Sequence, residues 1–233
     1  MKIFIGYEPR EDIAYKVCVH SILARQPKAE VIPLVQQELR DLGLYTRDID
    51  KLASTEFTFT RFLVPELCNY NGWALFIDCD TLITTDIQEL FHLADDRYAV
   101  MCVKHDYKVS EDYKMDRQKQ TSYPRKNWSS VMLFNCSHPS NKALSNKLIN
   151  DPDTTGAYLH RMSWLEDSEI GELNHTWNYL ADVYTDIPNP KIIHYTSGGP
   201  WFTEYKNCPF NHSWNMELTH YLSRSHNPLL IIY

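Results

Sequence analysis

Five apolar residues, Trp73-Ala74-Leu75-Phe76-Ile77, run directly into Asp78-Cys79-Asp80. An apolar run of this length without alternation reads as a strand buried on both faces, as in the interior of a parallel sheet. Such a strand constrains the fold, because both of its faces need a cover of helices. Its carboxyl end delivers two carboxylates, two positions apart, to the end of the sheet where open α/β folds bind ligands. Paired carboxylates repel one another unless a cation lies between them or a base pairs with them. Mg²⁺ and Mn²⁺ favour oxygen ligands and often complete their shell with substrate phosphates. The step from strand to D-x-D therefore suggests a metal–diphosphate site, although turns also gather aspartates for local hydrogen-bonding reasons.

The surrounding pattern agrees with an α/β chain. Lys2–Gly6, Val31–Val35, Tyr98–Val103 and Ser130–Phe134 read as further strands. Glu11–Leu23 has amphipathic helical spacing, and Thr60–Cys68 reads as a short helix that Pro65 makes irregular or restarts. The expected fold is a mixed, mostly parallel sheet flanked by helices. The second half is less regular. Ser140–Asn150, Asp167–Leu173 and Trp214–Arg224 read as helices, and Ile192–Tyr195 as a late strand. No internal repeat or low-complexity tract divides the 233 residues, which are read as one domain, 1–233.

Composition removes several function classes. The net charge is −7, which argues against broad nucleic-acid binding. No apolar run approaches the roughly 18 residues of a membrane span. The six cysteines lie far apart with no C-x-x-C pair, which suggests reduced thiols and a cytoplasmic protein. The stretch from Asp106 to Lys126 is polar and aperiodic, and is read as a lid that orders when ligand binds.

Five segments, taken in order, resemble the family-eight glycosyltransferases and their GT-A relatives, above all small stand-alone bacterial and viral members. They are Thr60-Arg61-Phe62-Leu63-Val64-Pro65-Glu66-Leu67, Leu75–Ile83 with its D-x-D-T, Asn127–Asn135, Trp164–Glu169, and Ile193-His194-Tyr195-Thr196-Ser197-Gly198-Gly199-Pro200-Trp201. The resemblance covers roughly residues 1 to 205. It implies transfer of a hexosyl or deoxyhexosyl group from a nucleotide-diphosphate donor, with uracil as the base, to a hydroxyl acceptor such as another carbohydrate. On this resemblance Asp78, Asp80 and His194 hold Mn²⁺ or Mg²⁺. Gly6 and Tyr7 receive the base, with Tyr7 stacking on it, and Arg61 steadies the acidic turn or the donor. Asp106, Ser129 and Ser130 line the donor-sugar pocket. Ser197, Gly198, Gly199 and Trp201 lie against the donor, and Asp167 sits beneath the sugar near the reacting carbon.

Two positions depart from the family pattern. Gly199 replaces a lysine expected before Pro-Trp, so Lys104, Lys126 or the Ser197–Gly199 amides are the candidate phosphate contacts. Ser168 replaces the glutamine of a D-Q-D motif. Glu166-Asp167 also resembles the catalytic acidic pair of inverting GT-A enzymes, so the sequence leaves retention, which the resemblance favours slightly, and inversion both open. Asp167 as a plain helix cap is the structural alternative. A sugar-nucleotide nucleotidyltransferase is the competing enzyme reading, but Gly6-Tyr7-Glu8-Pro9-Arg10 is not the glycine-rich basic loop it requires. An inactive sugar-nucleotide-binding module is the non-enzyme reading.

Overall fold

The computed structural model describes residues 1–48, 54–106 and 124–225. Its strands are β1 (Lys2–Gly6), β2 (Glu30–Leu34), β3 (Trp73–Ile77), β4 (Thr81–Ile83), β5 (Val100–Cys102), β6 (Val131–Asn135), β7 (Ile170–Glu172), β8 (Tyr179–Leu180) and β9 (Ile192–His194). The α-helices are α1 (Asp12–Arg25), α2 (Gln36–Asp41), α3 (Val64–Leu67), α4 (Gln88–Phe91), α5 (Asn146–Asn150), α6 (Gly156–His160) and α7 (Asn211–Ser225).

Six strands form one sheet in the order β2-β1-β3-β6-β5-β7, with β6 alone running against the rest. The expected mixed, mostly parallel sheet is present. β3 and β6 lie at its centre, and every residue from Ala74 to Ile77 and from Val131 to Asn135 is buried. The unbroken apolar pattern of these strands follows from cover on both faces. On one of the helices providing that cover, α1 buries Ala14, Val17, Cys18, Ser21 and Ile22, the repeat of three and four that a helix stripe needs.

A second, three-stranded sheet has the order β4-β9-β8. It matters because β4 leaves the acidic turn directly. β4 pairs antiparallel with β9 so that Thr81 faces His194, and the Tyr195 amide donates to the Asp80 carbonyl at 3.0 Å. Register alone thus sets Asp80 beside His194.

Two helix expectations need revision, and a third, the helix that Pro65 restarts, is met. Asp167–Leu173 is not a helix: a 3-10 turn over Asp167–Glu169 passes into β7. The Ala99 amide bonds the Glu169 carbonyl at 2.8 Å, and Ile170 aligns with Val100, so sheet pairing takes over after one turn. Ser140–Asn150 is split. A 3-10 turn (Pro139–Ala143) ends at Leu144, and Ser145 then caps α5, its hydroxyl accepting from the Leu148 amide at 3.3 Å. Thr60–Cys68 is a 3-10 turn over Thr60–Leu63 followed by α3, with Pro65 in the first turn where its missing N–H is tolerated. The expected lid falls largely on 107–123, outside the described residues.

Candidate functional site

β3 ends at Ile77, and the Asp78 amide bonds the Ser130 carbonyl of the neighbouring chain segment at 2.9 Å. The Thr81 hydroxyl donates to the Asp78 carbonyl at 2.9 Å and closes the turn. Asp78, Asp80 and His194 each offer a ligand atom, all within 4.8 Å of one another. Among the described residues this is the one cluster of three such groups.

The hydrogen bonds behind His194 fix which nitrogen faces the cluster. Asn178 is fully buried, and its amide nitrogen donates to the Asn127 carbonyl at 3.1 Å and to Ser130 Oγ at 2.9 Å. Ser130 Oγ donates its own proton to the Asn127 carbonyl at 2.7 Å, so it accepts from Asn178. Asn178 Oδ1 must therefore point at His194 Nδ1, 2.9 Å away, and takes its proton. With that proton on Nδ1, the neutral form of the ring carries its lone pair on Nε2, which lies 3.3 Å from Asp80 Oδ1. A lone pair turned on a carboxylate oxygen is the arrangement of two ligands around one cation. The donor set of two carboxylates and an imidazole with an orienting amide fits a divalent ion.

Asp78 is held from the other side. Arg61, only 5% exposed, donates from one terminal nitrogen to Asp78 Oδ1 at 2.8 Å and to the Ser129 carbonyl at 2.9 Å. Its Nε donates to the Phe57 carbonyl at 3.3 Å, and its guanidinium lies 5.0 Å from the centres of both the Phe57 and Phe76 rings. Ser129 Oγ is 2.7 Å from His160 Nδ1. Burial, reinforced by the charge of Arg61, pushes the His160 ring down to about 3, so it is neutral.

Two further acids lie close by: Glu8, in the loop expected to receive the base, and Glu11, which escaped the sequence reading. Glu8 and Glu11 are each 3% exposed. Burial first, then the charges of Asp80, Glu8 and Asp78, push the Glu11 carboxyl up to about 9. Glu8 accepts from the Arg10 side chain at 2.8 Å and from the Glu56 amide at 3.1 Å. Nothing in the local sequence marks Glu11 as buried, since helix starts are rich in acids in any case.

The other expected donor residues occupy the following places. Gly6 ends β1, and a Cβ there would lie 2.3 Å from the Phe57 ring, so glycine is needed for that packing. Tyr7 donates its hydroxyl to Asp12 at 3.1 Å and packs edge-on against Tyr15. Asp106 is exposed just beyond β5. Lys126 is buried between Arg125 and Asn127, both left-handed with φ 62°. Gly198 has φ 134°, a conformation closed to most side chains, and Ser197 donates to Asp182. Gly199 abuts the Trp201 ring, which packs against Tyr195, Phe202 and Trp214 while its Nε1 has no hydrogen-bond partner among the described residues.

Glu166 and Asp167 do not join the cluster. They precede the amino end of β7, whereas Asp78 follows the carboxyl end of the parallel strand β3. The Asp167 side chain is 85% exposed and pairs with Arg125. The turn's cap is Glu166, which with Glu169 forms a capping box, so the cap alternative for Asp167 also moves by one residue. Between β6 and β7, the residue that reaches the cluster's surroundings is His160 of α6.

A central strand ending in D-x-D, one reversed strand beside it, and a histidine brought back by a small second sheet define a GT-A glycosyltransferase. The chain belongs to glycosyl transferase family 8, whose model matches residues 23–204. It is 52% identical over 226 residues to Protein CDI of Arabidopsis thaliana, covering 94% of this chain and 86% of that one. Among solved structures it is similar to the glycosyltransferase GlyE of Streptococcus pneumoniae, with a TM-score of 0.60 at 15% identity over 96% of this chain. The chain spans 63% of GlyE. It is also similar to the galactosyltransferase LgtC in complex with donor and acceptor sugar analogs, with a TM-score of 0.60 at 12% identity, covering 94% of this chain and 96% of that one. Among the described residues no helix is long and apolar enough to cross a membrane.

Proposed function

We propose that this glycosyltransferase moves a sugar from a UDP-sugar to a hydroxyl of a carbohydrate acceptor, with Mn²⁺ or Mg²⁺ bound by Asp78, Asp80 and His194. The observation behind this reading is His194 Nε2 facing Asp80 at 3.3 Å in a cluster that also contains Asp78. Membership of family 8 supports sugar transfer, and the likeness in fold to LgtC, solved with donor and acceptor sugar analogs, is consistent with a sugar donor and a sugar acceptor. A divalent ion there supplies charge stabilisation to the departing diphosphate, worth several kcal/mol in the transition state.

The chain's own residues prepare that step. Arg61 holds Asp78 from behind and so fixes one metal ligand before the donor arrives. Lys126, buried a few residues before Ser129 in the chain, takes the phosphate contact that Gly199 cannot make, together with the amides of Ser197–Gly199. Gly6 and Tyr7, at the carboxyl end of β1, receive the base, and Trp201 backs the phosphate loop. Asp106, Ser129 and Ser130 face the sugar. Retention is the favoured outcome. The catalytic reading of Glu166 and Asp167 rests on the sequence alone.

The test is a thermal-shift panel of nucleotide sugars with and without Mn²⁺, followed by donor hydrolysis with the ligands that stabilise. A Tm rise that needs both a UDP-sugar and Mn²⁺ is expected. A panel in which no nucleotide sugar binds with either ion would falsify the reading. Binding without any hydrolysis or transfer would favour an inactive module.

A further inference from the structure

The crossover from β6 to β7 sends α6 back toward the acidic turn, and His160, its last residue, meets Ser129 there. Ser129 is tied on two sides. Its carbonyl accepts from Arg61, the same guanidinium that holds Asp78, and its hydroxyl lies 2.7 Å from His160 Nδ1. The His160 ring also packs edge-on against Phe62, at 5.3 Å between centres, which fixes its plane.

We propose that His160 is a positioning residue for the donor site: it accepts the Ser129 hydroxyl proton at Nδ1 and thereby turns the Ser129 Oγ lone pairs to the donor pocket. The contact itself is geometric: Ser129 Oγ and His160 Nδ1 are 2.7 Å apart, so one of the two carries the shared proton. A neutral imidazole has one N–H. The proposal places it on Nε2, which leaves the Nδ1 lone pair to accept and Ser129 to donate. Its oxygen then offers acceptor capacity alone and selects a hydroxyl donor, such as a sugar O–H, over another acceptor. Burial, with the neighbouring Arg61 charge, keeps the ring from gaining a second proton and reversing this polarity.

The functional half of this inference rests on the UDP-sugar reading above, whereas the proton assignment does not. The first experiment is ¹⁵N NMR of the histidine-labelled protein without donor. His160 is expected as the Nε2–H tautomer from pH 8 to pH 5, and Ser129→Ala is expected to shift its Nδ1 resonance. An Nδ1–H tautomer, or protonation near pH 6.5, overturns the proposal whatever the enzyme's substrate.

The second experiment uses the UDP-sugar that the panel identifies. His160→Phe keeps an aromatic ring and removes the acceptor, Ser129→Ala removes the hydroxyl, and His160→Asn places an amide oxygen near the Nδ1 position. Each of the first two is expected to raise donor KM about tenfold with a smaller change in kcat. The double variant should be no worse than either single, because both remove one interaction. His160→Asn should recover most of the loss. Additive losses in the double variant, or normal donor KM in a folded His160→Phe protein, overturn the positioning role. Failure of every UDP-sugar to bind wild type counts against the donor reading and leaves the NMR result to decide the proton assignment.

Discussion

The Asn178 amide nitrogen donates two hydrogen bonds, so Asn178 Oδ1 is the atom 2.9 Å from His194 Nδ1, and His194 Nε2 is the nitrogen turned toward Asp80. Partners of this kind behind a metal-bound histidine are commonly worth 10- to 100-fold in affinity. Asn178→Leu should therefore weaken Mn²⁺ binding by about that factor, read by direct Mn²⁺ titration. Affinity equal to wild type would mean that something other than Asn178 sets the tautomer.

Asp80→Ala and His194→Ala should each abolish Mn²⁺-dependent donor binding while circular dichroism shows an intact fold. Both residues stand at strand ends, and neither fills the core beneath the sheet. Mn²⁺-dependent turnover surviving in both proteins would remove the metal assignment.

Arg61→Lys should rescue poorly. The guanidinium reaches Asp78, the Ser129 carbonyl and the Phe57 carbonyl at once and lies against two aromatic rings, a set of contacts that a point-like ammonium does not reproduce. Breaking a buried ion pair from one side costs about 3–5 kcal/mol, so Arg61→Ala should lower Tm strongly as well as weaken donor binding. Wild-type stability and donor KM in Arg61→Lys would argue against a multidentate role.

Acid should destabilise the protein partly through His160. Its pKa is depressed from the ordinary 6.5 to about 3, so the unfolded chain binds a proton that the folded one refuses. The stability this provides is complete above pH 6.5 and drains away as pH falls toward 3, by about 1.4 kcal/mol per unit once below 6. Chemical denaturation of wild type and His160→Asn between pH 7 and 4 should show a shallower decline in the variant. Parallel slopes would indicate that His160 titrates normally.

Asp167→Asn is expected to change stability by less than about 1 kcal/mol, because the pair it forms with Arg125 is exposed on the aspartate side. Donor affinity should match wild type. If transfer nevertheless drops 100-fold or more, Asp167 regains the role of base for the acceptor.

The centre of the sheet was readable because burial on both faces leaves a run such as Trp73–Ile77 with no polar interruption. The acidic turn was readable for the same reason: two aspartates directly after such a run have few structural excuses. His194 was reachable only through resemblance, since a histidine at a strand end has no pattern of its own. Asn178 and His160 were missed because their roles are set by partners distant in the chain, Asn127 and Ser130 for one and Ser129 for the other. Asp167 was singled out by an apolar-to-acidic step, a step that also begins a capped turn, and here Glu169 completes the box with Glu166.

β4 and β9 are adjacent in space but are made at very different times during synthesis. The ribosome releases the two aspartates early, and the histidine only after β5, β6 and β7 have followed. A nascent chain therefore carries both carboxylates before it carries the imidazole, and the three groups meet only when β9 docks on β4. If the cluster holds a cation as proposed, its capture would be coupled to the closing of the second sheet, and the bound ion would slow the reopening of that sheet more than it would speed the earlier collapse around β3.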